Sequence, residues 1–207
     1  MYMVLRAIAR LMLLLLCGLE VSGLEHVPKQ GGAIIAGTHT TMMDPVAIAV
    51  VVPRPVHFMG KVELFRNPVL RFLFTRLHGF PVRRGLADRE AIRTAQDRVK
   101  AGHVLGIFPE GTRNTTAEDH LPLQGGASLI AIKTGAPIIP VVISGFKPFK
   151  LRQPVRVVFG RPIDLGGPRR ATKADVLEGT KAISAEFSYL LSRNNQGSRE
   201  IQSGTLV

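Results

Sequence analysis

The chain has 207 residues, 45% of them hydrophobic, with one cysteine and no tryptophan. That length suffices for one domain with a sizeable core, and a single Cys17 excludes an intrachain disulfide framework and suits a reducing compartment. Lys plus Arg outnumber Asp plus Glu by 27 to 15, an excess that points to an anionic partner: nucleic acid, anionic lipid, a phosphorylated substrate or an acidic carrier protein.

The first element is MYMVLRAIARLMLLLLCGL, in which Arg6 and Arg10 precede the apolar run 11–19. It has the look of a signal peptide, but no small-x-small cleavage site follows. The run is shorter than the roughly 20 residues that cross a bilayer. Arg6 and Arg10 fall on one helix face, and the expectation is an interfacial helix over residues 1–20 with its arginines at lipid headgroups. The competing expectation is a helix packed on the protein's own core.

Residues 19–22 read as a short strand, followed by the turn Val27-Pro28-Lys29-Gln30-Gly31-Gly32. The apolar run 33–37 reads as a buried strand. It leads into GTHTTMMDP, where His39 and Asp44 stand five residues apart. That is the wrong spacing for one helix face, so the two meet only if the chain turns between them. Pro45 is suited to open a helix over 45–51, which makes Asp44 its N-cap. An Asp before such a Pro is most often only a cap; beside a histidine it is also the basic unit of general-base catalysis.

A strand over 56–59 comes next, then helix over 62–78 with a restart at Asn67-Pro68, then a strand over 79–83. Asp88 caps a helix to about residue 100, ended by Gly102. Strand 104–108, helix 126–134 and strands 137–143 and 155–159 follow. Thr172 with Asp175 forms a capping box that opens a helix to about residue 193, and a polar tail, 194–207, is expected to be disordered. Strands alternating with helices predict an α/β fold: a mixed, largely parallel sheet flanked by helices, occupying 21–193. His57, His78, His103 and His120 are scattered, and no cluster has metal-ligand spacing, so no metal is expected.

In such sheets ligands gather at strand ends, in the loops before helices. Three of these loops are polar or rigid. The first holds His39 and Asp44. The second, GFPVRRG, delivers Arg83 and Arg84; the third, FPEGTR, offers Glu110, Gly111, Thr112 and Arg113. Gly111 permits close backbone approach, Thr112 a hydroxyl, and Arg113 a fork for phosphate. Glu110 is placed to accept a hydrogen bond from a substrate hydroxyl or to fix an arginine.

THTTMMD, GFPVRRG, FPEGTR and APIIPV, in that order, resemble the four motif blocks of the glycerolipid acyltransferases, the lysophosphatidic acid acyltransferase family. The resemblance runs from about residue 23 to 162. It implies that His39 and Asp44 are catalytic and that Arg84, Glu110, Gly111, Thr112 and Arg113 bind the substrate. Pro140 falls on the proline of the fourth block, and Lys61, in GKVELF, is similar to a lysine often found in the family. Thr38 replaces the Asn or Ser usual before the histidine, and Gln124 stands where a basic residue is common; both bear on substrate choice.

The activity so implied moves an acyl chain from acyl-CoA or acyl carrier protein to the hydroxyl of lysophosphatidic acid, without a further cofactor. The histidine acts as base in a ternary complex, and no acyl-enzyme forms on Cys17 or Ser128. Ser128 follows Gly126, but Ile130 stands where a nucleophile elbow needs Gly. The partners expected are lysophosphatidic acid, the acyl donor and an anionic membrane surface, at the cytoplasmic face of the cell membrane. The alternatives are another lysolipid acceptor or a basic nucleic-acid-binding domain; nucleic acid is not the expected partner, since no recognised nucleic-acid motif accompanies the basic charge.

Overall fold

The structure, a computed structural model, describes residues 1–83, 88–116, 118–147 and 151–203, with backbone only for 195–203. Seven strands form one sheet in the order β1-β7-β6-β2-β5-β3-β4. They are β1 Leu19–Ser22, β2 Ala33–Gly37, β3 Val56–Lys61, β4 Phe80–Val82, β5 Val104–Ile107, β6 Ile138–Ser144 and β7 Val155–Phe159. Among the strands of the described residues, only β6 and β7 pair antiparallel, with one further antiparallel bridge between Ile138 and Ile163. The run β6-β2-β5-β3-β4 is parallel throughout, so the C-terminal ends of these five strands share one edge. The expected mixed, largely parallel sheet is what the chain forms.

The helices are α1 Tyr2–Leu16, α2 Asp44–Val51, α3 Pro68–Arg76, α4 Arg89–Lys100, α5 Gly126–Thr134 and α6 Lys173–Ser203. They divide between two sheet faces. Central β2 shows why: all five of its residues are buried, and alternate side chains point to opposite faces. Ala33 and Ile35 join Leu13 and Cys17 of the α1 region and Ile48 of α2 in one core. Ile34 and Ala36 join Ala95 of α4, Ile130 of α5 and Phe187 of α6 in the other. Each fully buried Ile contributes roughly 2–3 kcal/mol.

Most predicted boundaries fall within two residues of the observed ones. Asn67 caps α3 by accepting from the N–H groups of Val69 and Leu70, and Asp88 caps α4 from Ala91. Thr172 and Asp175 close a reciprocal box, with Thr172 N–H on Asp175 at 2.8 Å and Asp175 N–H on Thr172 at 3.2 Å. One expectation changes. The helix expected to end near residue 193 continues to Ser203, into the tail expected to be disordered, because no proline interrupts the polar stretch after it; 204–207 lie outside the described residues. Residues 62–65 form a short 3-10 helix, and α3 restarts at Pro68 as expected.

α1 packs one side on the body of the protein and leaves apolar residues exposed on the other. Leu13 is buried against the core while Met3, Leu11 and Leu15 are exposed. Arg6 does not reach outward: its guanidinium donates to the Val50 carbonyl at the end of α2, at 3.3 Å, where the negative end of a helix dipole favours a cation. Among the described residues, no helix is long and apolar enough to cross a membrane.

Candidate active site

β2 ends at Gly37, and the ladder to β6 goes on one residue further. Thr38 N–H donates to the Val141 carbonyl at 3.1 Å, and its hydroxyl accepts from Ile143 N–H at 3.4 Å. The next residue, His39, therefore leaves the sheet edge from a fixed point. Its Nδ1 lies 3.0 Å from Asp44 Oδ2. Both residues are buried, Asp44 completely.

Asp44 is not the N-cap. The helix opens one residue earlier, with Ala47 N–H on the Met43 carbonyl at 2.9 Å. Its carboxylate reaches backward instead, accepting from Thr40 N–H and Thr41 N–H at 2.7 Å each and from the Thr41 hydroxyl at 2.8 Å. Those bonds compensate a buried charge and wrap the turn that brings a five-residue spacing into contact. Held by a carboxylate, Nδ1 carries the proton and Nε2 is left as the acceptor. Among the described residues, only His57 Nδ1 is a buried side-chain nitrogen or oxygen without a partner. His39 Nε2 is therefore not sealed off.

The loop after β5 clamps this histidine by its main chain. Glu110 Oε1 accepts from His39 N–H at 2.7 Å, and Oε2 from Leu121 N–H at 3.1 Å. Asn114 N–H donates to the His39 carbonyl at 2.6 Å. Glu110 thus spends its oxygens on backbone, not on an arginine as one expectation had it. Burial pushes its carboxyl up, and the two N–H groups pull it back. Gly111, Thr112 and Arg113 form the arch between the two anchors. Gly111 turns it with φ 69°, and a side chain there would collide with the Gln124 amide. Thr112 and Arg113 are exposed, and Arg113 is adjacent to a residue bonded to His39.

Sequence reasoning did not find Asn114 or the ring of Phe108. Asn114 is buried, and its side chain ties Thr116 N–H and the Thr116 hydroxyl to Oδ1. The Asn114-Thr115-Thr116 spacing of an Asx-turn was the available signal. Phe108 stacks on the His39 imidazole, with centroids 4.2 Å apart and planes at 23°. Gly37 makes room for it: a Cβ there would lie 3.0 Å from that ring.

The remaining expected residues are dispersed. Lys61 ends β3 on the same edge, half exposed, with Nζ 3.4 Å from Glu63. Pro140 lies in β6 opposite Ala36, just before pairing with β7 begins at Val141, so its missing N–H falls where that ladder ends. Arg84 lies outside the described residues. Cys17 is buried in the core at the end of α1, and buried Ser128 bonds Thr180 across α5 and α6 at 3.1 Å.

The family model described as Acyltransferase matches residues 18–144, which include the whole of this loop cluster. The chain belongs to the acyltransferase family. Among its relatives, the 1-acyl-sn-glycerol-3-phosphate acyltransferase of Bacillus subtilis (strain 168) is 35% identical over 151 residues, 70% of this chain and 74% of the relative. The protein of the same name from Borreliella burgdorferi is 32% identical over 59% of this chain and 50% of its own length. The crystal structure of a 1-acyl-sn-glycerophosphate (LPA) acyltransferase from Thermotoga maritima superposes with a TM-score of 0.74 over 94% of this chain and 79% of the other. At 24% identity that likeness shows the shared acyltransferase fold.

Proposed function

We propose that this acyltransferase moves a fatty acyl group from a thioester to the free hydroxyl of 1-acyl-sn-glycerol 3-phosphate, giving phosphatidic acid. The observation that carries the reading is the His39–Asp44 contact of 3.0 Å at a strand end, both groups buried. An alcohol is a poor nucleophile at neutral pH. His39 Nε2 takes its proton as the oxygen attacks the thioester carbonyl, and Asp44 stabilises the imidazolium. Collapse of the tetrahedral intermediate forms the ester C–O bond and breaks the C–S bond. The departing sulfur takes the proton back from Nε2. The reaction needs no further cofactor and no covalent acyl-enzyme; buried Cys17 and Ser128 sit in the packed core and on another helix pair.

Arg113, next in sequence to the Asn114 anchor, holds the acceptor's phosphate, and Arg84 and Lys61 serve the same headgroup. Glu110 and Gly111 shape that pocket by setting the path of the arch, and Thr112 lines it. Pro140 supports the strand beneath. The basic surface suits either anionic donor, acyl-CoA or acyl carrier protein. The exposed apolar side of α1 holds the enzyme at an anionic membrane surface, on the cytoplasmic face of the cell membrane.

The test supplies purified protein with a labelled acyl donor and a panel of lysolipids. Phosphatidic acid is the expected product, and His39→Ala is expected to cut turnover by about 10³-fold or more while the protein stays folded. Full activity in that variant would sink the reading; a different product from the panel would reassign the acceptor.

A further inference from the structure

α3 is an anomaly of packing. None of its residues is buried. Val69 is 72% exposed and Phe72 56%, with Leu70 and Leu73 close to two-fifths. Phe74 is the half-buried residue that ties it to the body, its ring 5.9 Å from that of Phe65. A helix of nine residues is marginal in water without a packed face, and here the apolar face points outward. We infer that α3 is a membrane-docking helix of its own, inserted beside α1 into an anionic lipid interface so that the His39 edge is held against the leaflet. The inference rests on the membrane reading of α1 given above.

Placement supports it. α1 packs on α2. The β2-α2-β3 and β3-α3-β4 connections both advance the same way across the sheet, and right-handed crossovers put both helices on one face. α1, α2 and α3 therefore share a side of the molecule. The Tyr2 ring at the start of α1 lies 5.2 Å from the His78 ring just past the end of α3, which brings these two helix ends together. The other end of α3 adjoins the strand edge that carries His39, where Met42 and Met43 are also exposed.

Charge selects the occupant. Residues 64–83 contain no Asp or Glu, while Arg66, Arg71 and Arg76 are all exposed. The Arg76 guanidinium lies 4.9 Å from the Phe72 ring centroid, so a cation sits beside an exposed apolar ring. Apolar side chains with arginines among them are what an anionic interface binds. An acidic carrier protein would also meet the arginines. It would leave uncovered the outer stripe of α1, whose Val4, Ile8, Leu11 and Leu15 are all exposed. A fluid interface covers both helices at once.

The absence of tryptophan makes a clean experiment possible. Phe72→Trp and Leu11→Trp each create a single tryptophan, on α3 and α1, which can be excited apart from the two tyrosines. Each full-length variant is mixed with phosphatidylcholine vesicles doped with phosphatidylglycerol, with and without brominated acyl chains. The expected result is a blue shift and bromine quenching at both positions. In the tryptophan-free chain, Val69→Asp with Phe72→Asp is expected to lower vesicle partitioning about tenfold or more with an unchanged unfolding midpoint. Quenching at position 11 but not 72 would overturn the inference and leave the α1 reading standing. No quenching at either would remove both. Unchanged partitioning of the Asp pair, with turnover lost only on an acyl carrier protein donor, would assign this face to an acidic protein and overturn the inference too.

Discussion

His39 and His57 are both buried and sit at opposite ends of the parallel part of the sheet, yet their surroundings differ completely. His39 has a carboxylate on Nδ1, a ring on one face and both main-chain groups pinned by the loop after β5. His57 has no hydrogen bond on Nδ1 and is sandwiched between His78 at 4.8 Å and His103 at 4.6 Å. Burial by itself only penalises the imidazolium; a partner for the proton is what turns a buried histidine into a base. The surroundings of His57 lower its pKa to about 4, chiefly by burial and then by His103, His78 and Arg98. It is therefore neutral at ordinary pH.

Removing the partner of His39 is the sharpest way to break the contrast. Asp44→Asn leaves a side chain of the same shape that no longer holds the Nδ1–H tautomer. Turnover is expected to fall by roughly 10³- to 10⁴-fold. The same change weakens the acceptor of the Thr40 and Thr41 N–H groups, at about 1–3 kcal/mol. Chemical denaturation alongside a progress curve separates the two effects, and activity within tenfold of wild type would refute the role of Asp44.

A smaller effect is expected from the clamp. Glu110→Gln keeps one acceptor oxygen for two backbone N–H groups, so either His39 or Leu121 faces an amide NH₂. Turnover is expected to drop about 10- to 100-fold, since a displaced general base loses alignment, with the KM for the acceptor nearly constant. A rise in KM at unchanged turnover would show instead that Glu110 contacts the acceptor directly. The variant tests whether the loop after β5 positions the base through its backbone.

These two loops also mark how far the sequence could be read. The apolar run before His39 and the proline after Asp44 announced a strand, a turn and a helix, and the structure has all three. The direction of the Asp44 carboxylate was not announced. It depends on how the threonines of the turn present their N–H groups, which spacing does not encode. Glu110 was legible as a site residue but not as a clamp, because its partner is 71 residues away and is a main-chain group, which leaves no trace in side-chain identity. The histidine stack was illegible for a similar reason. His57, His78 and His103 look scattered until β3 and β5 become neighbours. For α3, the pattern announced a helix, but not that its apolar residues point away from the protein.

The gentlest test sharpens the comparison from the side of His57. Phe in its place keeps the ring stack and removes both the orphaned nitrogen and the titration. At neutral pH, stability is expected to stay level or rise by about 1 kcal/mol, with turnover unchanged. In acid the two proteins part. Between pH 6.5 and about 4 the unfolded His57 binds a proton that the folded one refuses, so unfolding takes up protons and stability falls as pH falls. Its contribution is complete above pH 6.5 and lost as pH drops through 4, at a cost of roughly 3 kcal/mol at most. His78, lowered by burial and by Arg98 and His103, adds to the slope with the same sign and remains in the variant. His57→Phe should therefore flatten the stability profile without levelling it. A denaturation series from pH 7 to pH 4 would measure this. Profiles that coincide would mean that His57 is protonated as readily folded as unfolded, and that the two buried histidines differ less than their surroundings imply.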